Sequence, residues 1–376
     1  MIFIKNHWIC KQFLILYLLC LIFFLEKTQA DHSISGFSHQ PSNDSVNNTP
    51  SHKTHTRSRF FNVGKNEEFQ TIQSAIDSAS FHGGGTVYLE PGNYYENLTL
   101  YPGITLEGGG IADLRFICIH GTHYFPENGE LGFSHILFSN EASIFKPNIP
   151  NGNLNLLFTS CFFEVKDGYV LDIPNLNGSV IFFDCCSTGE NNGFINNMNG
   201  KCEPTLFNTT IDGGKRKNKM LVNSNALLFN LHIKIPIEFA GENTIATING
   251  GSWAEDTLFV KNQATLKISC STIETREHPA CFIDKKSFLT LDNCSIESSA
   301  KEVIFGSGAL RIGSCSFPSK SKISTSIDIQ KAAHFFKVTQ KVGRKGNADP
   351  LPSAPEGYLI TNINGHEYMI PYYTQP

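Results

Sequence analysis

Apolar residues that follow a small or polar residue recur at intervals of roughly two dozen positions through the middle of the chain. We use them as register marks. The marks are Ile136, Phe162, Ile211, Ile233, Trp253, Ile273, Ile296 and Phe317, with Ser187 in the one place that lacks a large apolar residue. A period of this length predicts a solenoid in which each repeat forms one coil.

Other columns of residues keep the same register. Five residues before each mark lies a large apolar residue, namely Leu157, Phe182, Leu206, Leu228, Ile248, Ile268, Leu291 and Ile312. This column is predicted to lie inside the solenoid, stacked at the spacing of about 4.8 Å between neighbouring strands. The next position predicts an aromatic stack through four coils. Its residues are Phe158, Phe183, Phe207 and Phe229.

A polar column marks a bend in each coil. Three residues before the mark are Asp184, Asn208, Asn230 and Asn293. Asn and Asp tolerate left-handed backbone geometry, so these residues predict a tight bend between two strands, with amides that can hydrogen-bond along the axis. A further strand is predicted in five coils, at residues 169–171, 220–222, 258–260, 281–283 and 303–305.

The repeats are preceded by a short helix and several strands. Phe69, Ile72, Ile76 and Ala79 recur at helical spacing, and three glycines at 83–85 end the predicted helix. Strands are predicted at residues 86–89, 98–100 and 104–106, with a Pro-Gly turn at 91–92. The helix would cover the open end of the solenoid.

These N-terminal residues resemble a known family. The run FQTIQSAIDSA, followed by GGGTVYLEPGNYYENLTL and GITLEGGG, is similar to the N-terminal cap and first coil of pectin-lyase-like proteins. The resemblance covers residues 69–110 and implies an all-β fold, a right-handed parallel β-helix with a helical N-terminal cap. It does not imply one activity, because enzymes, adhesins and viral tail-spike proteins share this fold.

The N-terminal segment that precedes the β-helix predicts export. Lys5 and Lys11 precede an uncharged apolar run at residues 13–25, so residues 1–30 are predicted to be a signal peptide cleaved near Ala30. An uncleaved signal anchor is the alternative. Residues 31–58 are predicted to be a disordered linker, because they contain few large apolar side chains. No later stretch is long enough to cross a bilayer, so no membrane contact is expected after cleavage.

The β-helix with its caps is predicted to span residues 59–342, with residues 326–342 as the C-terminal cap. Residues 343–357 are a predicted linker. Residues 358–376 predict a β-hairpin tail, because Asn364-Gly365 lies between two alternating runs and suits a type I′ turn. This tail resembles a short C-terminal hairpin of some phage and large-virus structural proteins.

The composition excludes some partners. The net charge is -4 and 17% of residues are charged, which gives no electrostatic case for nucleic acid. Nine cysteines remain after residue 30, an odd number, and none has zinc-ligand spacing, so no metal site is predicted. Most are expected to be small core residues, with disulfides as the alternative. The basic loop at residues 215–219 is predicted to be a solvated turn, or else a contact for an acidic polysaccharide.

The sequence lacks the motifs that the resemblance would imply for an enzyme. The paired aspartates of the hydrolases and the Gln-Asp pattern of the esterases are missing, and only Arg311-Ile312-Gly313 faintly matches a hydrolase element. The remaining catalytic candidates are the charged residues near the marks, which are Glu164, Asp184, Asp212, Glu255, Glu274 and Arg276. No cofactor is expected, and Ca²⁺ enters only if the chain is a lyase.

A charged row is the predicted ligand-binding surface. The residue after the mark is Asp212, Lys234, Glu274 or Glu297 on four coils, while Glu164 and Glu255 come one place later. An outward row of this kind could contact sugar hydroxyls. The alternative is that these are ordinary polar positions on the outside of a soluble solenoid.

The sequence therefore favours an exported or virion-associated β-helix scaffold that recognises extracellular polysaccharide without turnover. The alternative is a polysaccharide lyase or glycoside hydrolase acting on an acidic polysaccharide. A homotrimeric spike is a further hypothesis. The expected location is secreted or at the cell surface, or else on a virion.

Overall fold

The computed structural model describes residues 59–109, 117–214, 218–254, 256–275, 277–318, 322–331, 357–363 and 366–372. Strands at the same place on successive coils pair in parallel, so the described chain forms a right-handed parallel β-helix and confirms the predicted fold class. Most coils contribute a strand to each of three faces, which we call sheets 1, 2 and 3. Sheets 1 and 2 meet at a short bend.

Sheet 1 contains the first strand of each coil. Its strands are Phe60–Val63, Gly85–Leu89, Ile104–Gly108, Asn128–Ser134, Asn153–Thr159, Asn177–Phe183, Cys202–Phe207, Thr265–Ser269, Phe288–Asp292, Ala309–Ile312 and Asp328–Lys331. Two longer strands, Ala226–Lys234 and Ile245–Ala254, run through the bend and belong to sheet 1 and sheet 2. Through these two strands the sheets form one continuous hydrogen-bonded surface.

Sheet 2 follows the bend. Its other strands are Gly92–Tyr95, Ile117–His120, Leu137–Asn140, Phe162–Val165, Cys186–Thr188, Thr210–Asp212, Thr272–Thr275 and Ser295–Ser298. Sheet 3 closes each coil with the strands His123–Phe125, Phe145–Pro147, Leu171–Asp172, Ile195–Asn197, Met220–Val222, Ile237–Ala240, Leu258–Lys261, Cys281–Ile283, Glu302–Gly306 and Lys322–Ile323. A minor parallel pair joins Asp167–Gly168 to Asn191–Asn192. Four of the five predicted segments of the further strand fall on sheet 3, and the segment 169–171 reaches it only at Leu171.

The bend between sheets 1 and 2 is the predicted polar column. Asp184, Asn208, Asn230 and Asn293 all have φ between 48° and 53°. Asn208 Nδ2 donates to Asp184 Oδ1 at 3.0 Å, and Asn230 Nδ2 donates to Asn208 Oδ1 at 2.8 Å. The amides therefore form a ladder parallel to the axis. Gly250 takes the same place on the next coil, with φ 74°.

The interior is filled by stacked apolar columns. Phe158 lies between Phe133 and Phe182, with parallel rings whose centroids are 4.7 and 4.8 Å away. All three rings are buried. Trp253, a register mark, is also buried in the core cluster. A fully buried aromatic ring contributes several kcal/mol of apolar burial, so this column is a main source of stability.

The register predicted from the sequence is wrong in the two coils that contain Ile136 and Phe162. The residues that align with Ser187 are Phe138 and Phe163, while Phe162 points outward and is 39% exposed. The mark moves by two residues in the first coil and by one in the second. Successive side chains of a strand alternate between its faces, so the shift of one residue at Phe162 exchanges the inside and the outside. The pair Phe162-Phe163 satisfies the apolar pattern in either register.

The same shift corrects two predicted columns. Phe158 belongs to the interior column in place of Leu157, which is 43% exposed. The outer aromatic stack therefore has three members instead of four. Phe207 and Phe229 stack at 4.9 Å, and Phe183 lies 6.2 Å from Phe207 at an angle.

A helix, Ile72–Phe81, packs on the first coils as predicted. Thr71 caps it by accepting a hydrogen bond from the Ser74 backbone N–H at 3.3 Å. The Glu96 carboxylate accepts from the next two free N–H groups, those of Ile72 at 2.9 Å and Gln73 at 3.0 Å. These bonds satisfy donors that the first helical turn leaves unpaired, and they tie the helix to the first coil.

Both ends of the chain are described in part. Of the predicted strand at 98–100, only an isolated bridge between Thr99 and Tyr124 forms. Asp328–Lys331 continues sheet 1, so the described part of the predicted C-terminal cap is another coil. Gly357–Ile363 and His366–Tyr372 pair antiparallel as the predicted hairpin.

The predicted signal peptide and both linkers lie outside the described residues, apart from Gly357, and the domain boundaries stay predictions. No helix in the described part of the chain is long and apolar enough to span a membrane.

Candidate functional site

The outward residues of sheet 2 form one continuous row along the solenoid. Parallel pairing places Asp212 beside Lys234, and Glu274 beside Glu297. With the corrected register, Glu164 belongs to this row and does not lie one place later. In coil order the row is His120, Ser139, Glu164, Thr188, Asp212, Lys234, Ala254, Glu274 and Glu297.

The catalytic candidates from the sequence do not meet at one place. Lys234 Nζ lies 3.1 Å from Asp212 Oδ2, which makes an ion pair. Asp184 is at the bend, where its carboxylate accepts the ladder hydrogen bond from Asn208. Glu164 is two coils from Asp212, a separation of about 10 Å at the spacing of parallel strands. Glu255 and Arg276 lie outside the described residues.

A cleft opens where the strands of sheet 2 end near Glu164. It has a volume of about 450 Å³, and its lining includes His120, Ser139, Glu141, Glu164, Lys166 and Glu190. Lys166 Nζ forms an ion pair with Glu141 Oε2, and both side chains are largely exposed. Ser139 Oγ lies 3.5 Å from Glu164 Oε2. The cleft therefore gathers carboxylates from three coils, with a lysine among them.

A cysteine and a histidine lie beside this cleft. Cys118 Sγ is 3.2 Å from His120 Nε2, and the His120 ring stacks on Tyr95 at 4.5 Å. Burial, with a smaller effect from the charge of Glu164, raises the pKa of Cys118 to about 11. The thiol therefore stays protonated at neutral pH and is not an activated nucleophile. Among the described residues, no three His, Cys, Asp or Glu side chains are grouped to hold a metal ion.

The outer face of sheet 3 carries a different surface. Phe259, Phe282 and Phe305 occupy the same position on three successive coils. Their ring centroids are 6.1 and 4.7 Å apart, and each ring is half-buried. The strand alternation explains their direction, because the residues on either side of Phe259 and Phe282 are buried in the core.

Two lysines lie beside the first ring of this row, Lys261 on the same strand as Phe259 and Lys219 two coils earlier. Lys219 Nζ lies 4.2 Å and Lys261 Nζ lies 5.0 Å from the centroid of the Phe259 ring. Both ammonium groups donate to Glu238 Oε2, at 3.4 and 2.8 Å. The lysine side chains are 37% and 29% exposed, whereas that of Glu238 is 12% exposed. We call these six residues the lysine–phenylalanine surface.

The lysine–phenylalanine surface suits binding better than catalysis. Its phenyl faces are flat and apolar, and two ammonium groups share one carboxylate, which leaves one positive charge beside the rings. Ammonium groups held over an aromatic face are stabilised by the ring quadrupole. The six residues include one carboxylate, and general acid–base hydrolysis of a glycoside needs two.

Part of the lysine–phenylalanine surface can be predicted from the sequence. The segments 258–260, 281–283 and 303–305 are predicted strands; the middle residue is phenylalanine in the first two, and phenylalanine ends the third. Alternation along the first two strands puts their rings on the outside. Lys219 belongs to the predicted basic loop, but its position over Phe259 depends on how three coils align.

Comparison with known proteins gives structural neighbours but no family. No protein-family profile matches the sequence, and no curated protein matches it significantly.

Three solved structures are similar over most of the chain. A pectin methylesterase from Aspergillus niger is 16% identical, with 76% of this chain and 93% of that one covered and a TM-score of 0.30. A tailspike protein of Acinetobacter baumannii bacteriophage Fri1, a capsular polysaccharide depolymerase, is 12% identical, with 72% and 63% covered and a TM-score of 0.35. A putative glycosyl hydrolase from Parabacteroides merdae is 10% identical, with 71% and 99% covered and a TM-score of 0.19. At these values no activity transfers to this chain.

Proposed function

We propose that this protein is an exported or virion-associated β-helix that binds an extracellular acidic polysaccharide and does not cleave it. The observation that carries the proposal is the lysine–phenylalanine surface on sheet 3. A pyranose ring has an apolar C–H face of a size similar to a phenyl ring, and acidic sugars carry carboxylate or sulfate groups. Half-exposed rings beside ammonium groups match both features.

The repeat of the surface supports a polymer as the ligand. Phe259, Phe282 and Phe305 recur once per coil along the axis, so an extended chain lying along sheet 3 would meet an equivalent contact at each step. A small ligand would need an enclosed site with a few convergent polar groups. The outer face of sheet 3 is open and repetitive instead.

The scattered carboxylates support binding without turnover. Asp184 is held in the bend ladder and Asp212 is paired with Lys234, while Glu274 and Glu297 lie several coils from Glu164. Glycoside hydrolases need two carboxylates about 5 to 10 Å apart across one sugar bond. Within this set only Glu274 and Glu297 are neighbours, and they belong to one row of a single sheet, which would put both on the same side of a sugar bond. We retain Asp212, Lys234, Glu274 and Glu297 as a second proposed contact surface for the polysaccharide.

The cleft near Glu164 favours the alternative function, cleavage of an acidic polysaccharide. Glu141, Glu164 and Glu190 line it together, and Lys166 lies among them. A lyase would use such a lysine as the base, and a hydrolase would use two of the carboxylates. Under this alternative Glu164→Gln abolishes product release.

Binding is best tested on a glycan array with the full chain and three variants. We expect Phe282→Ala and Lys261→Gln each to weaken binding of acidic glycans about tenfold, which corresponds to about 1.4 kcal/mol. Phe229→Ala is the matched control, because Phe229 is also a stacked, half-exposed ring, but on sheet 1. It should leave binding unchanged. Equal binding by Phe282→Ala and wild type would refute the surface assignment.

Turnover is tested on the same glycans. Release of reducing ends, or growth of the absorbance of unsaturated uronates, is expected to be absent for the wild-type protein. Product that appears with wild type and disappears with Glu164→Gln would overturn the proposal in favour of the enzyme.

Location and assembly are further parts of the proposal. They rest on the predicted signal peptide and on the hairpin of Gly357–Ile363 and His366–Tyr372. A mature N-terminus near Asp31 would support export, and an intact Met1 in the purified protein would contradict cleavage. Light scattering tests the homotrimer, which predicts three times the mass of one chain.

A further inference from the structure

Two cysteines share one position on the last two described coils of sheet 2. Ser295 and Ser316 form a parallel bridge, and Ser316 N donates to Cys294 O at 2.9 Å. Cys294 and Cys315, which precede the two serines, therefore lie side by side. Neighbouring parallel strands are about 4.8 Å apart, and disulfides join Cα atoms separated by about 4.4 to 6.8 Å. The backbone spacing is right for a bond between the two sulfur atoms.

The two side chains also face each other. Cys294 is buried in the core cluster, and Cys315 packs against the same cluster while keeping some exposure. A hydrogen bond between the two thiols lowers the pKa of Cys315 to about 7 and raises that of Cys294. The contact therefore favours the thiolate of Cys315, and the thiolate is the species that reacts in disulfide exchange.

We propose that Cys294 and Cys315 form a disulfide that joins the last two coils of sheet 2. A small-molecule disulfide such as oxidised glutathione is the oxidant. The Cys315 thiolate attacks one of its sulfur atoms and releases one glutathione thiolate, which takes up a proton. Cys294 then loses its proton and attacks the mixed disulfide, releasing a second glutathione. Two protein thiols are oxidised and one glutathione disulfide is reduced.

A second pair of cysteines shows why position alone is insufficient. Cys161 and Cys185 occupy the same place on two earlier coils, since Cys186 N donates to Cys161 O. Both are buried, and burial raises the pKa of Cys185 to about 12 and that of Cys161 well above its usual value. Neither thiol is favoured as the attacking thiolate, so we expect this pair to react with oxidants more slowly than Cys294 and Cys315.

Peptide mapping of the full chain tests the proposal. The protein is incubated with oxidised and reduced glutathione, alkylated with iodoacetamide and digested without reduction. We expect a cross-linked pair of peptides containing Cys294 and Cys315, with the mass of two hydrogen atoms missing. Cys270, the exposed cysteine, is the internal control and should be alkylated. Alkylation of both Cys294 and Cys315, or a cross-link of either to Cys270, would overturn the proposal.

Hydrogen exchange gives a second readout on the wild-type protein. The bond closes a loop across the last coils, so oxidation should slow amide exchange in Ala309–Ile312 at least tenfold relative to the reduced protein. The first coil, at Gly85–Leu89, should exchange equally in both states. Equal exchange at both places would contradict a staple on the last coils. Cys315→Ser should reproduce the reduced pattern even in the presence of oxidant.

Discussion

Acid should destabilise this protein through His123, a side chain with no exposure to solvent. The ring lies among Phe138 and Phe145, with centroid distances of 5.5 and 5.3 Å. Its Nδ1 accepts a hydrogen bond from the Leu98 backbone N–H at 3.3 Å, so Nε2 carries the proton of the neutral ring. Nε2 has no hydrogen-bond partner in the described structure. A charged imidazolium at this place would have no hydrogen-bond acceptor at Nε2 to offset the cost of burying its charge.

The size of the effect follows from the shift in pKa. Burial lowers the pKa of His123 from 6.5 to about 3. The unfolded chain therefore binds a proton more readily than the folded one between these values, and stability falls as the pH drops through this window. The contribution is complete above pH 6.5, and acidification from pH 7.5 to 5.0 should lower the free energy of unfolding by about 2 kcal/mol.

Urea unfolding at the two pH values measures this contribution. His123→Phe suits the site, because the residue paired with His123 on the next coil is Phe145. The variant leaves the Leu98 N–H without its acceptor and should be less stable at pH 7.5. On acidification, however, it should escape most of the loss that wild type suffers, because it has no imidazole to protonate. His232→Gln, at an exposed histidine, should keep the wild-type acid loss. Equal acid losses in wild type and His123→Phe would refute the reasoning.

Two further predictions concern the core and the bend. Phe158→Ala should lower the free energy of unfolding by about 3 to 5 kcal/mol, because it opens a cavity in the stacked column. The neighbouring Leu157→Ala should lower it by about 1 kcal/mol or less. Thermal or urea unfolding of both variants tests the corrected register, and equal losses would contradict it. Asn208→Ala should cost about 2 kcal/mol, since it removes two ladder hydrogen bonds and leaves an alanine at positive φ. Asn208→Gly loses the same bonds without the backbone strain, so it should cost about half as much, and a glycine variant as unstable as the alanine variant would argue against strain.

The fold could be predicted because most coils require the same kinds of residue at the same positions. Asn and Asp adopt positive φ more readily than most residues, so Asn208 and Asn230 indicate the bend, while His135, Ser160 and Cys270 take the same conformation on other coils. The prediction is wrong where local composition allows two registers. At Phe162-Phe163 either phenylalanine could fill the core, and only pairing with the neighbouring coils decides that Phe163 does.

The lysine–phenylalanine surface depends on contacts between coils, and a single sequence does not show which residues these contacts join. Coil lengths differ from one repeat to the next, so residues that become neighbours have no fixed spacing. Lys219 and Phe259 are two coils apart in the chain, and nothing in the sequence aligns them. The charged row on sheet 2 is visible because its residues follow the register marks directly. The phenylalanine rings lie on the strands of sheet 3. The number of residues between the register marks and these strands varies with loop length.

The amide ladder at the bend has an interruption with a mechanical consequence. After Asn230 its place is taken by Gly250 and then by Cys270, which lack amide side chains, and Asn293 comes only on the following coil. The coils on either side of Gly250 therefore lack amide side-chain contacts at the bend itself. They are joined beside it by strand pairing and by the His232–Ser252 and Ser269–Ile248 hydrogen bonds. Under tension along the axis, the load at this corner should pass through the pairing of the long strands Ala226–Lys234 and Ile245–Ala254 and not through amide side chains.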